Sequence, residues 1–194
     1  MMNNRKAILF SAPSGSGKTT IIREILKRFD CFEFSISATS RGPREGERDG
    51  VDYYFLSPEE FVRRVAEGQF LEWEEVYADV RYGTLKSEID RIWDAGKVII
   101  FDVDVKGGMN IKRYFGPDAL AIFVMPPSVE VLEQRLRCRG TESEEAITRR
   151  LARSAAELEE APQFDVTIVN DVLGEAVDRT QQVIVNYLGA GNGR

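Results

Sequence analysis

The stretch SAPSGSGKTTII, residues 11–22, constrains this chain more than any other. It follows a short apolar run, Ala7 to Phe10, and precedes a pattern that puts Ile21, Ile25 and Phe29 on one face with Ile22 and Leu26 beside them. A buried strand, a bare Gly/Ser loop and a helix, in that order, let backbone N–H groups curl around an oxyanion at a helix N-terminus. Lys18 then reaches the outer phosphates, and the Thr19 hydroxyl suits a Mg²⁺ ligand. The pattern is G-x-x-x-x-G-K-[ST] with Ala12 in place of the first glycine, which is harmless if residue 12 keeps a negative φ. The run Ala12, Pro13, Ser14, Gly15, Ser16, Gly17, Lys18, Thr19 and Thr20 is therefore predicted to be a P-loop holding a nucleoside triphosphate.

The rest of the chain supplies the fold that such a loop requires. FEFSIS (32–37), VIIFDVDV (98–105), LAIFVM (120–125) and VTIVN (166–170) read as further core strands. Ser128 is placed to cap a helix, Thr141 with Glu144 makes a capping-box pattern, and Pro162 ends the helix that follows. A last amphipathic helix is predicted from about Glu175 to Leu188. Near-continuous apolar strands alternating with helices imply an α/β fold, a five-stranded parallel sheet flanked by helices. Residues 38–90 break that rhythm with a polar loop, SRGPREGERDG, and the aromatic strand-like pieces DYYFL, FLEWEEV and VRYG. Ser57, Pro58 and Glu60 cap one short helix there, ending at Gly68. This segment is read as an inserted substrate subdomain.

Composition removes several classes of chemistry. With no histidine, His bases, Ser-His-Asp triads and His metal sites are excluded, and two cysteines with no CxxC leave neither a zinc site nor a disulfide framework. The net charge of −6 argues against a nucleic-acid surface, and no segment is apolar enough to span a bilayer. A cytoplasmic protein with small-molecule partners is expected, with no nucleic acid and no membrane, as a monomer or homodimer.

A P-loop says nothing of the acceptor. Ser37, Arg41, Arg44 and Tyr53 lie within one short span and suit a second phosphate, since guanidinium groups bind it bidentately and a tyrosine hydroxyl adds a donor. Taken alone, the same residues fit a solvated loop equally well. Asp102 and Asp104 alternate with Val103 at the end of an apolar strand, which is predicted to point both carboxylates to one face where ligands of parallel sheets bind.

These segments together resemble the bacterial guanylate kinases over almost the full length. The matching pieces are SAPSGSGKTT, FSISATSRGPREGERDGVDYYF, FLEWEEVYADVRYGT, IIFDVDVKGG, VMPPSVEVLEQRLRCRGTESEE and IVND. The resemblance implies a P-loop kinase fold with a core (about 1–36, 91–126 and 162–194), a GMP-binding subdomain (37–90) and a helical lid (127–161). It implies transfer of the ATP γ-phosphoryl group to GMP with Mg²⁺. Residues matching Ser37, Arg41, Arg44, Tyr53 and Tyr82 would hold the GMP phosphate, and those matching Glu72, Thr84 and Asp104 would read the guanine. Arg139 and Arg150 would come from the lid, and Arg135 and Asn170 would lie near the adenine. Spacing alone favours helix-face salt links for the lid arginines, and Glu72 alone reads as a surface strand residue.

The chemistry agrees with that implication. Guanine offers N1–H and N2–H donors, which ionised Glu72 and Asp104 would accept and adenine would leave unmatched. A GMP phosphate is largely dianionic at pH 7, so no base is needed. Catalysis reduces to alignment and charge neutralisation by Lys18, Mg²⁺, Arg44, Arg139 and Arg150, with Thr19 on the metal and Asp102 ordering metal-bound water or a basic side chain. Lys106, where many relatives have glutamine, and a long Glu72–Tyr82 segment depart from the family pattern. Two other readings stay open, a non-catalytic protein-binding module of the same fold and a P-loop kinase acting on a sugar phosphate.

Overall fold

In the computed structural model, which describes residues 5–77, 79–138 and 144–190, the chain begins with β1 (Ala7–Ser11) and α1 (Lys18–Arg28). Three short strands follow, β2 (Phe32–Phe34), β3 (Ala38–Thr39) and β4 (Tyr54–Phe55), then α2 (Pro58–Ala66). A hairpin of β5 (Phe70–Tyr77) and β6 (Val80–Leu85) leads into α3 (Lys86–Asp94), β7 (Val98–Asp102) and α4 (Val105–Phe115). The chain continues through β8 (Ala119–Met125), α5 (Val129–Cys138), α6 (Glu144–Glu159), β9 (Val166–Val169) and α7 (Leu173–Ala190).

The five apolar strands form one parallel sheet in the order β2-β7-β1-β8-β9. Alternation along β1 divides the core in two. Ile8 and Phe10 pack with Ile21 and Ile25 of α1 and Val177 and Ile184 of α7. Ala7 and Leu9 face the opposite way, towards Ile89 and Ile92 of α3 and Ile111 and Phe115 of α4. Each such large apolar side chain removed from water contributes about 1.5–3 kcal/mol, which is why both faces of the sheet are covered. α1 buries Ile21, Ile22 and Ile25 as its spacing predicts, and Phe29 becomes its extended C-cap residue.

Residues 38–85 build a second sheet, ordered β4-β3-β6-β5, over a small core of Ala38, Phe61, Phe70 and Leu85. α2 starts as its sequence requires: Ser57 Oγ accepts from the Glu60 N–H at 3.1 Å, Pro58 stands at the first turn, and Gly68 follows the helix with φ 67°. The long Glu72–Tyr82 segment is absorbed by register irregularities in the β5/β6 ladder and a turn in which Asp79 has φ 64°.

Two elements differ from the sequence reading. α3 is not marked by it, because its N-cap is Leu85, which makes no side-chain cap, and the helix follows β6 without a break. The expectation that Asp102 and Asp104 share one strand is overturned. β7 ends at Asp102, paired with Phe10, and Asp104 is the N-cap of α4, its Oδ1 accepting from the Gly107 N–H at 2.8 Å. An aspartate followed by small residues satisfies an orphan helix donor more readily than it extends a ladder.

Candidate active site

The carboxyl ends of β1 and β7 open into a cavity of about 350 Å³, whose wall takes residues from the core sheet, the second sheet and α6. On the β1 side the loop before α1 turns through Gly15 and Gly17, with φ of 95° and 88°. A side chain at Gly17 would also meet Asn170 Nδ2 at 2.3 Å, so conformation and space both demand glycine there. Among the described residues Asp79 is the sole non-glycine with positive φ, so Ala12 meets the condition on which its substitution was harmless. Ser16 N–H donates to Pro13 O at 3.1 Å, which closes the loop, and Ala12 and Ser14 line the cavity.

Lys18 Nζ lies 2.5 Å from Asp102 Oδ1 and donates to Val103 O at 2.8 Å. Thr19 Oγ1 donates to Asp102 Oδ2 at 3.3 Å. A hydroxyl and a carboxylate oxygen thus stand together at the loop, hard donors that suit Mg²⁺, an ion that keeps several waters and completes its shell with phosphate oxygens. Among the described residues no group of three or more acidic or cysteine side chains could hold a metal by itself.

Asn170 bonds to the same loop, and Arg135 bonds to Asn170. Buried Asn170 donates from Nδ2 to Ser16 O at 2.7 Å, and Arg135 Nη2 donates to Asn170 O at 3.0 Å. They brace the loop and do not line the cavity.

Across the cavity stand Ser37, Tyr53 and Tyr82. Tyr82 Oη accepts from Arg41 Nε at 3.1 Å, and the Arg41 guanidinium lies 5.0 Å from the centre of the Tyr53 ring. Arg41 is held in a bidentate pair with Glu47 at 2.6 and 2.7 Å. Glu47 also accepts from the Arg44 backbone N–H at 2.8 Å, and these bonds, Arg41's first, pull its carboxyl down to about 2. Burial pushes the Tyr53 hydroxyl up. Arg44 lies exposed on this turn and does not line the cavity. Glu47 escaped the sequence reading, since a loop has no period to relate it to Arg41.

The third wall carries the carboxylates. Glu72 Oε1 accepts from Thr84 Oγ1 at 2.8 Å, a cross-strand pair in the β5/β6 ladder. Burial pushes Glu72 up to about 7, with Thr84 opposing and the Asp104 charge adding to the shift. Its Oε2 lies 3.1 Å from where a Cβ on Gly107 would stand, so the glycine lets Glu72 come close to α4 beside Asp104. Glu74, two residues on and therefore on the same strand face, also lines the cavity, and strand alternation could have found it. Burial and a hydrogen bond shared with Asp104 push it upward, while Lys106 Nζ sits 3.1 Å from its Oε1. That ion pair is the place of Lys106 in the structure.

From α6, Arg150 lines the cavity and approaches Ser14 Oγ at 3.5 Å. Arg153 makes the ordinary helix pair with Glu157 at 2.8 Å but also faces Asp104 at 3.7 Å. Arg139 and Thr141 lie outside the described residues. The structure thus brings together a P-loop lysine, an aspartate beside it, a tyrosine-arginine cluster and a carboxylate wall.

Comparison with known proteins identifies the family. The guanylate kinase family model matches residues 4–187. The chain belongs to the guanylate kinase family. It is 51% identical over 184 residues to the guanylate kinase of Bacteroides fragilis, covering 95% of this chain and 90% of that protein. The guanylate kinase of Salinibacter ruber is 48% identical over 189 residues, covering 97% of this chain and 100% of that one. Among solved structures, the guanylate kinase from Anaplasma phagocytophilum superposes with a TM-score of 0.72 at 28% identity, covering 92% of this chain and 84% of that one. Membership of the guanylate kinase family gives each wall of the cavity a candidate role.

Proposed function

We infer that the chain transfers the γ-phosphoryl group of ATP to GMP, giving ADP and GDP. The observation that carries this reading is one cavity lined at once by Lys18 of the P-loop, by Tyr53 and Tyr82 beside Arg41, and by Glu72 and Asp104. The donor triphosphate lies along residues 12–20, with Lys18 exchanging Asp102 and Val103 for phosphate oxygens, and with its adenine end towards Arg135 and Asn170. Thr19 and Asp102, whose oxygens meet at the loop, would hold Mg²⁺. When bound, that ion supplies positive charge against the donor phosphates as charge moves to the leaving oxygen.

The acceptor phosphate is bound by Ser37, Arg41, Arg44, Tyr53 and Tyr82, and its dianionic oxygen attacks without a base. Glu72, Thr84 and Asp104 read the guanine, with both carboxylates accepting from N1–H and N2–H. Arg150, and Arg139 by the family resemblance, neutralise charge on the transferring group and keep water from it. In this reading residues 37–90 are the acceptor subdomain, 127–161 the lid, and the remainder the core. We place the enzyme in the cytoplasm; among the described residues no helix is long and apolar enough to cross a membrane.

A coupled assay for ADP with GMP, AMP, UMP, ribose 5-phosphate as a sugar phosphate, and no acceptor tests the assignment. GMP-dependent ADP formation is expected. Turnover with no nucleotide acceptor but with a sugar phosphate would overturn it, and the absence of turnover with any acceptor would make the chain a binding module.

A further inference from the structure

Among the described residues Glu88, on the first turn of α3, is the charged residue that lies in the core, 2% exposed. Its carboxylate is fully engaged. Oε1 accepts from the Ile36 backbone N–H at 2.9 Å and from Arg91 Nη2 at 2.8 Å. Oε2 accepts from the Tyr54 hydroxyl at 2.8 Å and from Arg91 Nε at 2.9 Å. Arg91 also pairs with Glu33 of β2. Burial works against this charge, and the bonds from Arg91, Ile36 and Tyr54 together outweigh it, so the carboxyl stays below its ordinary value. An ion pair withdrawn from water adds little net stability over an apolar replacement, so stability alone does not account for a carboxylate at this point.

The contacts fall beside the acceptor site. Ile36 precedes Ser37 and Tyr54 follows Tyr53, and both Ser37 and Tyr53 line the cavity. The two segments are joined by a ladder of two-residue strands, with Tyr54 N–H donating to Ser37 O and Leu56 N–H to Thr39 O, each at 2.9 Å. The polar loop carrying Arg41, Arg44 and Glu47 runs between them. β4 stands at the edge of the second sheet and is joined to it by only these two residues of ladder, while β3 is also paired with β6. Glu88 ties Tyr54 of β4, and Ile36 two residues before β3, to α3, which packs on the core sheet through Ile89 and Ile92.

We propose that Glu88 is a positioning residue for the acceptor phosphate, setting the places of Ser37 and Tyr53 by clamping Ile36 and Tyr54 to α3. The proposal rests on the assignment of Ser37 and Tyr53 to that phosphate. Affinities of the full chain for GMP and for guanosine test it, because their ratio isolates the phosphate from the base. Tyr53→Phe examines the underlying assignment and is expected to lower the ratio. Glu88→Gln is expected to lower it by about tenfold, the scale of one charge-assisted hydrogen bond displaced, with guanosine affinity and KM for ATP unchanged. Tyr54→Phe removes one contact without unpairing the buried charge, so it decides the matter if Glu88→Gln fails to fold, and a loss of a few-fold in the ratio is expected. If Tyr53→Phe lowers the ratio but both clamp variants leave it intact, the proposal is overturned. Equal losses of GMP and guanosine would overturn it too, reducing Glu88 to a structural role. An unchanged ratio in Tyr53→Phe would remove the phosphate assignment and the proposal with it.

Discussion

Replacing Glu72 by Gln is expected to damage acceptor binding and stabilise the fold at once. Glu72 has its carboxyl pushed from 4.5 to about 7, chiefly by burial. Between those two values the folded chain holds a proton that the unfolded chain has released, so stability falls as pH rises through this window. Below 4.5 the cost is absent, and above 7 it is complete. At 1.36 kcal/mol per unit, the full cost is about 3 kcal/mol. Glutamine keeps an oxygen that can accept from Thr84 Oγ1 but carries no charge to bury. The variant should therefore be more stable than the parent by up to about 3 kcal/mol at pH 8, with the gap shrinking steadily towards pH 5. Urea denaturation of both proteins without ligand, at half-unit steps of pH, measures this directly. In the same preparations kcat/KM for GMP should drop steeply, because one acceptor oxygen has become a donor facing guanine donors, while ATP binding holds. Stability curves that run parallel from pH 5 to pH 8 would refute the argument that Glu72 is held uncomfortably dry.

Three further outcomes follow from the same geometry. KM for GMP should rise by up to about tenfold per pH unit below pH 7, since protonated Glu72 loses an acceptor, and KM for ATP should stay flat in initial-rate measurements across that range. Lys18→Ala should lower kcat by about 10³-fold with an unchanged circular dichroism spectrum, because this lysine meets Asp102 and Val103 at the cavity and adds little to the core. Arg150→Ala should lower kcat by up to about 10³-fold with a smaller effect on KM for GMP; equal effects on both would reassign it to ground-state nucleotide binding.

What could be read from the sequence was local. The strand, glycine turns and helix around Lys18 need only neighbouring residues, as do the cap at Ser57, whose oxygen meets the N–H three residues on, and the apolar runs of the parallel sheet. The residue types of the acceptor cluster were legible too, and the family resemblance gave them roles. Contacts between distant parts of the chain were not. Glu88 meets Ile36 across 52 residues and Asn170 meets Ser16 across 154, and no spacing rule relates such positions. Asp104 shows the same boundary from the other side. Its place next to Asp102 suggested a strand, and the helix donor at Gly107 claimed it as a cap. Sequence by itself determined which groups this chain possesses and which short segments hold phosphate. Only the tertiary structure decided their charge and aim, because the ionisation of Glu72, the pairing of Arg41 with Glu47 and the clamp at Glu88 depend on how much water packing leaves around each group.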